Sequence, residues 1–137
     1  MYLVDTNVWL ERLLEQERAE EVKRFLDSVS SDQLAITDVS FHSIGVILNR
    51  LNRREGLLRF VQDTLIDGAV RLIRLSPADT QRQVNIIEQL RLDFDDAYQY
   101  VMAEQYSLTM VSFDSDFDQT PRGRKTPAEI LTTLPLV

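Results

Sequence analysis

Cysteine is absent from the 137-residue sequence, histidine and tryptophan occur once each, and the only lysines are Lys23 and Lys125. Without cysteine there is neither a disulfide framework nor a thiolate metal site, which fits a reducing compartment. A lone histidine, His42, cannot build a zinc site of the usual kind, although carboxylates beside it would let it serve as a base. Four glycines and four prolines leave little chain for a flexible linker. No composition break or internal repeat is visible, so 1–137 is expected to form a single domain with a core of its own. Also missing are a basic-then-apolar N-terminal segment and any apolar run approaching the roughly 20 residues that cross a bilayer. A soluble, cytoplasmic protein is expected.

Excess positive charge is lacking too. Asp and Glu number 22 against 15 Lys and Arg, for a net charge of -7. Proteins that hold nucleic acid by counterion release are usually basic. An acidic chain still acts on phosphodiesters if its carboxylates gather metal ions that carry the local positive charge. Otherwise the acidity only keeps the protein soluble, and charge alone does not choose.

What is present is an alternation of short apolar runs with helical periodicity. Leu3-Val4 is a short run ending at Asp5. Val8, Leu10, Leu13 and Leu14 continue at helical spacing, and Val22, Phe25, Leu26 and Val29 mark a second helix over 19–29. Leu34-Ala35-Ile36 predicts a buried strand, with Thr37 or Asp38 capping a helix over 39–53. A helix over 57–66 ends at Gly68. Val70, Leu72, Ile73 and Leu75 suggest a further strand, and Pro77 opens a helix running towards Leu90. Asp93 caps the next helix, which runs to about Tyr106, and 108–113 is the clearest strand. This order predicts an α/β fold, a three-layer sandwich with a mainly parallel sheet between helices. In such sheets sites form beyond the carboxyl ends of the strands, where Asp5, Asp38 and Asp114 stand.

Each of these acids has an ordinary structural use. Asp5 suits a helix cap, Asp114-Ser115-Asp116 suits a turn, and acids at 93, 95 and 96 complement a helix dipole. Together they exceed that need. Parallel strands bring Asp5 and Asp114 to one edge, and Asp96 adds a third carboxylate. Repelling carboxylates want a cation, and hard oxygen donors favour Mg²⁺ or Mn²⁺. Trp9, Tyr98, Tyr100 and Tyr106 are expected to pack, and Arg50, Arg53, Arg54 and Arg59 to form a solvated face. Arg122, Arg124 and Lys125, in the loop after Asp114, are candidate phosphate contacts.

Val4-Asp5-Thr6-Asn7-Val8 resembles the opening motif of PIN-domain nucleases, which include the VapC-type toxins. Asp96-Ala97 at a helix start resembles that family's third acidic position, and Val111-Ser112-Phe113-Asp114-Ser115-Asp116-Phe117 its last motif. The resemblance implies Asp5, Asp96 and Asp114 as catalytic metal ligands and Asp116 as an auxiliary one. It implies Thr6, Asn7 and Ser112 as residues that orient those ligands. It further implies Mg²⁺- or Mn²⁺-dependent hydrolysis of RNA, an antitoxin protein as partner and a homodimer. One departure stands out: Ser43 occupies the place where the family usually has Glu, early in the helix after the second strand. Ser is a neutral, weaker ligand, and Asp93 or Asp95 are candidates to compensate. The alternative is therefore a PIN-like binding module with weakened or lost catalysis. A receiver-like phosphoryl-transfer domain would want a lysine after a strand, and neither lysine is so placed.

Overall fold

The computed structural model describes residues 1–135. Four short strands, β1 (Tyr2–Val4), β2 (Leu34–Thr37), β3 (Arg71–Ile73) and β4 (Thr109–Val111), form one parallel sheet in the order β3-β2-β1-β4. Parallel neighbours need a crossover. The links are made by α1 (Thr6–Leu13) and α2 (Ala19–Ser28), then α3 (Asp38–Arg50) and α4 (Arg54–Val61), then α5 (Thr80–Leu90) and α6 (Phe94–Gln105). A last helix, α7 (Pro127–Thr133), follows β4.

The sheet divides two cores because alternate strand residues face opposite sides. Leu3, Ala35 and Met110 pack with Ile86 of α5 and Tyr100, Val101 and Ala103 of α6. Val4, Ile36 and Val111 pack on the other face with Val8, Phe25, Ile44, Leu48 and Ile130. Helices thus cover both faces, and the α/β sandwich expected from the sequence is the one observed. Trp9 is buried as expected, edge-on to Phe60, with its indole N–H donating to the Val4 carbonyl at 3.1 Å.

Several boundaries differ from the sequence reading. Thr37, not Asp38, caps α3, its hydroxyl oxygen accepting from the Ser40 N–H. That helix stops at Arg50, and Asn52 turns the chain in the left-handed region (φ 57°) before α4 opens at Arg54. The single helix expected over 57–66 is α4 followed by one π turn, Gln62–Ile66. Pro77 opens a 3₁₀ turn, and α5 proper begins at Thr80. Of the strand expected over 108–113, the ladder keeps only Thr109–Val111. Ser112 and Phe113 leave it to build the site.

Candidate metal centre

The register of β1 on β4 begins the site. Val4 lies opposite Val111, and the Asp5 N–H donates to the Val111 carbonyl at 2.9 Å. Asp5 and Ser112, each one residue beyond a strand end, turn their side chains towards the face covered by α6 and meet. The Ser112 hydroxyl donates to Asp5 Oδ2 at 2.7 Å. Asp5 Oδ1 accepts from the Thr6 N–H at 2.8 Å and from Gln99 Nε2 at 3.0 Å. Asp5 is therefore both the cap of α1 and part of the cleft, and the two readings of it are compatible. With about two acceptor positions per carboxylate oxygen, Oδ1 is filled and Oδ2 keeps one free.

Gln99 is the member that sequence reasoning missed. It lies three residues after Asp96 on α6, hence on the same helix face, and it is buried. Its amide nitrogen donates to Asp5 and to Ser40 Oγ (2.8 Å), and its carbonyl accepts from the Thr37 hydroxyl (2.6 Å). Thr6 joins this network through a 2.8 Å hydroxyl–hydroxyl bond to Ser40. One side chain thus ties the ends of β1, β2 and α6 together.

The remaining acids come from α6 and the segment after β4. Asp93 caps α6 by accepting from the Asp96 N–H, and Asp96 projects half-buried from the first turn. Asp114 Oδ1 accepts from the Asp116 N–H, a turn that brings both carboxylates to the same side. Asn7 fixes that segment from α1, accepting from the Phe113 N–H and donating to Ser112 Oγ, while the Asp114 N–H donates to Ser112 Oγ at 2.9 Å. Asn7 and Ser112 therefore orient Asp114 and Asp5, whereas Thr6 acts through its backbone N–H and Ser40. One carboxylate oxygen from each of Asp96, Asp114 and Asp116 lies within 4.8 Å of the others. Asp5, Asp93, Asp95, Asp96 and Asp114 line one cleft of about 270 Å³, with Ser43 on its wall. A larger hollow of about 590 Å³ lies between Trp9, Leu26 and Phe60, but among the described residues its acids do not converge as these do.

The electrostatics are those of a site short of positive charge. Burial, then Asp93, Asp114, Asp5 and Asp116 in turn, push the Asp96 carboxyl up to about 7. Burial also raises Asp5, against the hydrogen bonds from Gln99, Ser112 and Thr6 that lower it, and the nearby Asp114 charge adds to the rise. A divalent cation bound there would reverse these penalties. The donors are all carboxylate oxygens, without His or Cys among them, so they fit Mg²⁺ or Mn²⁺.

Other candidates have contacts of their own. Asp38 accepts from the Tyr98 hydroxyl at 2.8 Å and faces a neighbouring hollow shared with His42, Ser43 and Asp95. Arg122 donates to the carbonyls of Ala103 and Leu108, locking the loop to the end of α6. Arg124 is paired with Asp118 and donates to the Ser112 carbonyl. Lys125 continues alongside β4, its backbone N–H on the Met110 carbonyl; its side chain is exposed, and among the described residues no carboxylate pairs with it. Hydrogen bonds from Thr126 hold Glu129 below the usual carboxylate range, with the Lys125 charge adding to them. Tyr98 and Tyr100 are buried, whereas Tyr106 is exposed with Arg71 stacked on its ring.

The fold is shared with proteins of known structure. A toxin–antitoxin complex from Klebsiella pneumoniae contains a chain 23% identical, with TM-score 0.74 over 93% of this chain and 98% of that one. VapC20 of Mycobacterium tuberculosis, described as a toxin that cleaves the sarcin–ricin loop, is 16% identical, with TM-score 0.78 over 93% and 100%. FitAcB from Neisseria gonorrhoeae is 22% identical, with TM-score 0.71 over 93% and 99%. None of the curated protein sequences is significantly similar to the chain. The family model described as PIN domain matches residues 2–123, a span that runs from β1 through Asp96 to the turn after Asp114. On that match the chain belongs to the PIN domain family.

Proposed function

We propose that this protein is a metal-dependent endoribonuclease and the toxin of a toxin–antitoxin pair. The observation that carries the reading is the convergence of Asp96, Asp114 and Asp116 within 4.8 Å beside the buried, fully oriented Asp5. The structural likeness to toxins, one of them described as RNA-cleaving, supports the substrate class and an antitoxin as partner. A homodimer is the proposed assembly.

A divalent ion held by Asp5, Asp96 and Asp114, with Asp116 in support, would polarise the phosphoryl oxygens and acidify a water. The chain's own part is positional. Gln99 and Ser112 hold the Asp5 carboxylate at fixed orientation, and the Asp114–Asp116 turn sets the opposite wall. Hydrolysis there would be in-line attack of the water oxygen on phosphorus with loss of its proton, breaking the bond to the 3′ oxygen, which takes up a proton from solvent and leaves as a 3′ hydroxyl while the product keeps a 5′ phosphate. The test is cleavage of RNA in Mn²⁺ or Mg²⁺ by wild type and Asp5→Asn. Cutting by the wild type alone is expected; no cutting with either ion, or equal cutting by the variant, defeats the reading.

Ser43 favours a second reading, a PIN-domain module that binds without turnover. It stands on the cleft wall where a carboxylate would complete the acidic ring. Under that reading Ser43→Glu confers metal-dependent cleavage that the wild type lacks. Under the first, the wild type already cuts.

A further inference from the structure

A divalent ion in the cleft would offset its acidity at the scissile phosphate, but the RNA backbone on either side still meets an acidic protein and gains from a cation there. Of the basic residues in the loop after Asp114, Lys125 is exposed and without a carboxylate partner among the described residues, whereas the two arginines are engaged. Arg122 is bound to two carbonyls, and Arg124 is neutralised by Asp118.

A different arginine reaches the motif through space. The alternation that sends Ser112 towards α6 sends Phe113 to the opposite face, among the residues packed with α1 and α2. There the guanidinium of Arg18, the residue before α2, lies over the Phe113 ring at 4.9 Å from its centroid. Arg18 is exposed, and among the described residues no carboxylate pairs with it. Its backbone N–H is anchored to Glu11 Oε1 at 2.7 Å. A guanidinium lying on a ring keeps its in-plane N–H donors free for bidentate contact with a phosphate. Stacking also fixes the side chain beforehand, so less entropy is lost on binding.

We propose that Arg18, held on the ring of Phe113, the residue before Asp114, binds a phosphate of the RNA backbone that flanks the acidic cleft. The assignment rests on the nuclease reading above. It is tested with labelled single-stranded RNA, binding being followed as a function of salt in the Asp5→Asn background, and with kcat and KM in the active protein. Arg18→Ala is expected to weaken RNA binding about tenfold. It should make the slope of log affinity against log salt shallower by about 0.7, the loss of one phosphate contact on a single strand. KM rises while kcat is unchanged. Arg24→Ala, the same charge change on the far part of α2 near α7, leaves slope and KM as they were. If the two variants behave alike while the wild type still cleaves, Arg18 has no such role and the nuclease reading stands. If the wild type cleaves nothing, the nuclease reading falls, and the binding slope still decides whether Arg18 touches phosphate.

Discussion

Gln99 shows how much of this site is held by a residue that carries no charge. Removing its amide takes one donor each from Asp5 Oδ1 and Ser40 Oγ and the acceptor from the Thr37 hydroxyl, in a buried setting. Gln99→Ala is expected to cost about 2–4 kcal/mol, the combined effect of unpaired buried polar groups and lost volume. Urea unfolding measures it, and a loss below about 1 kcal/mol would mean the network is not structural. Asp96 carries the pH dependence. Its carboxyl is raised from 3.8 to about 7, so across that window the folded chain keeps a proton that the unfolded chain has released. Stability of the metal-free protein therefore falls as pH rises through the window and levels off above it. Asp96→Asn should flatten that slope. Mn²⁺ affinity moves the other way, rising about tenfold per pH unit below about 7 because one proton is displaced; an affinity flat from acid to neutral pH would contradict the assignment. The charged members of the site were legible in the sequence, since strand ends and a helix start announce themselves. Gln99 was not, because a glutamine amid Tyr98, Tyr100 and Val101 gives no periodic signal, and only its three-residue offset from Asp96 pointed to it. Arg122 and Arg124 were legible as basic but not as engaged, since a carbonyl that captures a guanidinium leaves no mark in sequence.

At the scale of elements, the types were readable and the ends were not. Apolar runs mark β1, β2 and β4, but where a strand stops depends on pairing: Ser112 has the composition of a strand residue and leaves the ladder to bond Asp5. The Thr37 cap was indistinguishable from Asp38 by propensity; contact between Asp38 and the Tyr98 hydroxyl, sixty residues on, decides it. The π turn after α4 depends on Gly68. A Cβ there would lie 2.6 Å from the carbonyl oxygens of both Asp63 and Thr64. Gly68→Ala should destabilise the fold by about 1–3 kcal/mol through this overlap. Being remote from the cleft, it should leave Mn²⁺ affinity as it is. Unfolding and metal titration on the same variant check both halves, and an unchanged stability would show that the turn yields freely.

Over the whole molecule, a net charge of -7 by itself does not choose between an acidic nuclease and a merely soluble protein. The fold shows where the acidity gathers. A parallel sheet brings the ends of β1 and β4 together, α6 lays Asp96 across them, and part of the acidity is concentrated where a divalent ion offsets it. Outside the cleft the acids are dispersed or paired, as Asp118 is with Arg124 and Glu104 with Arg82. This convergence is the proposed divalent-cation site. Calorimetric titration with Mn²⁺ of wild type, Asp96→Asn and Asp114→Asn tests it most directly, each variant first shown to be folded. Saturable binding by the wild type, weakened by about tenfold or more in both variants, is the predicted result. Absence of binding by the wild type, or equal affinity in all three, would contradict it.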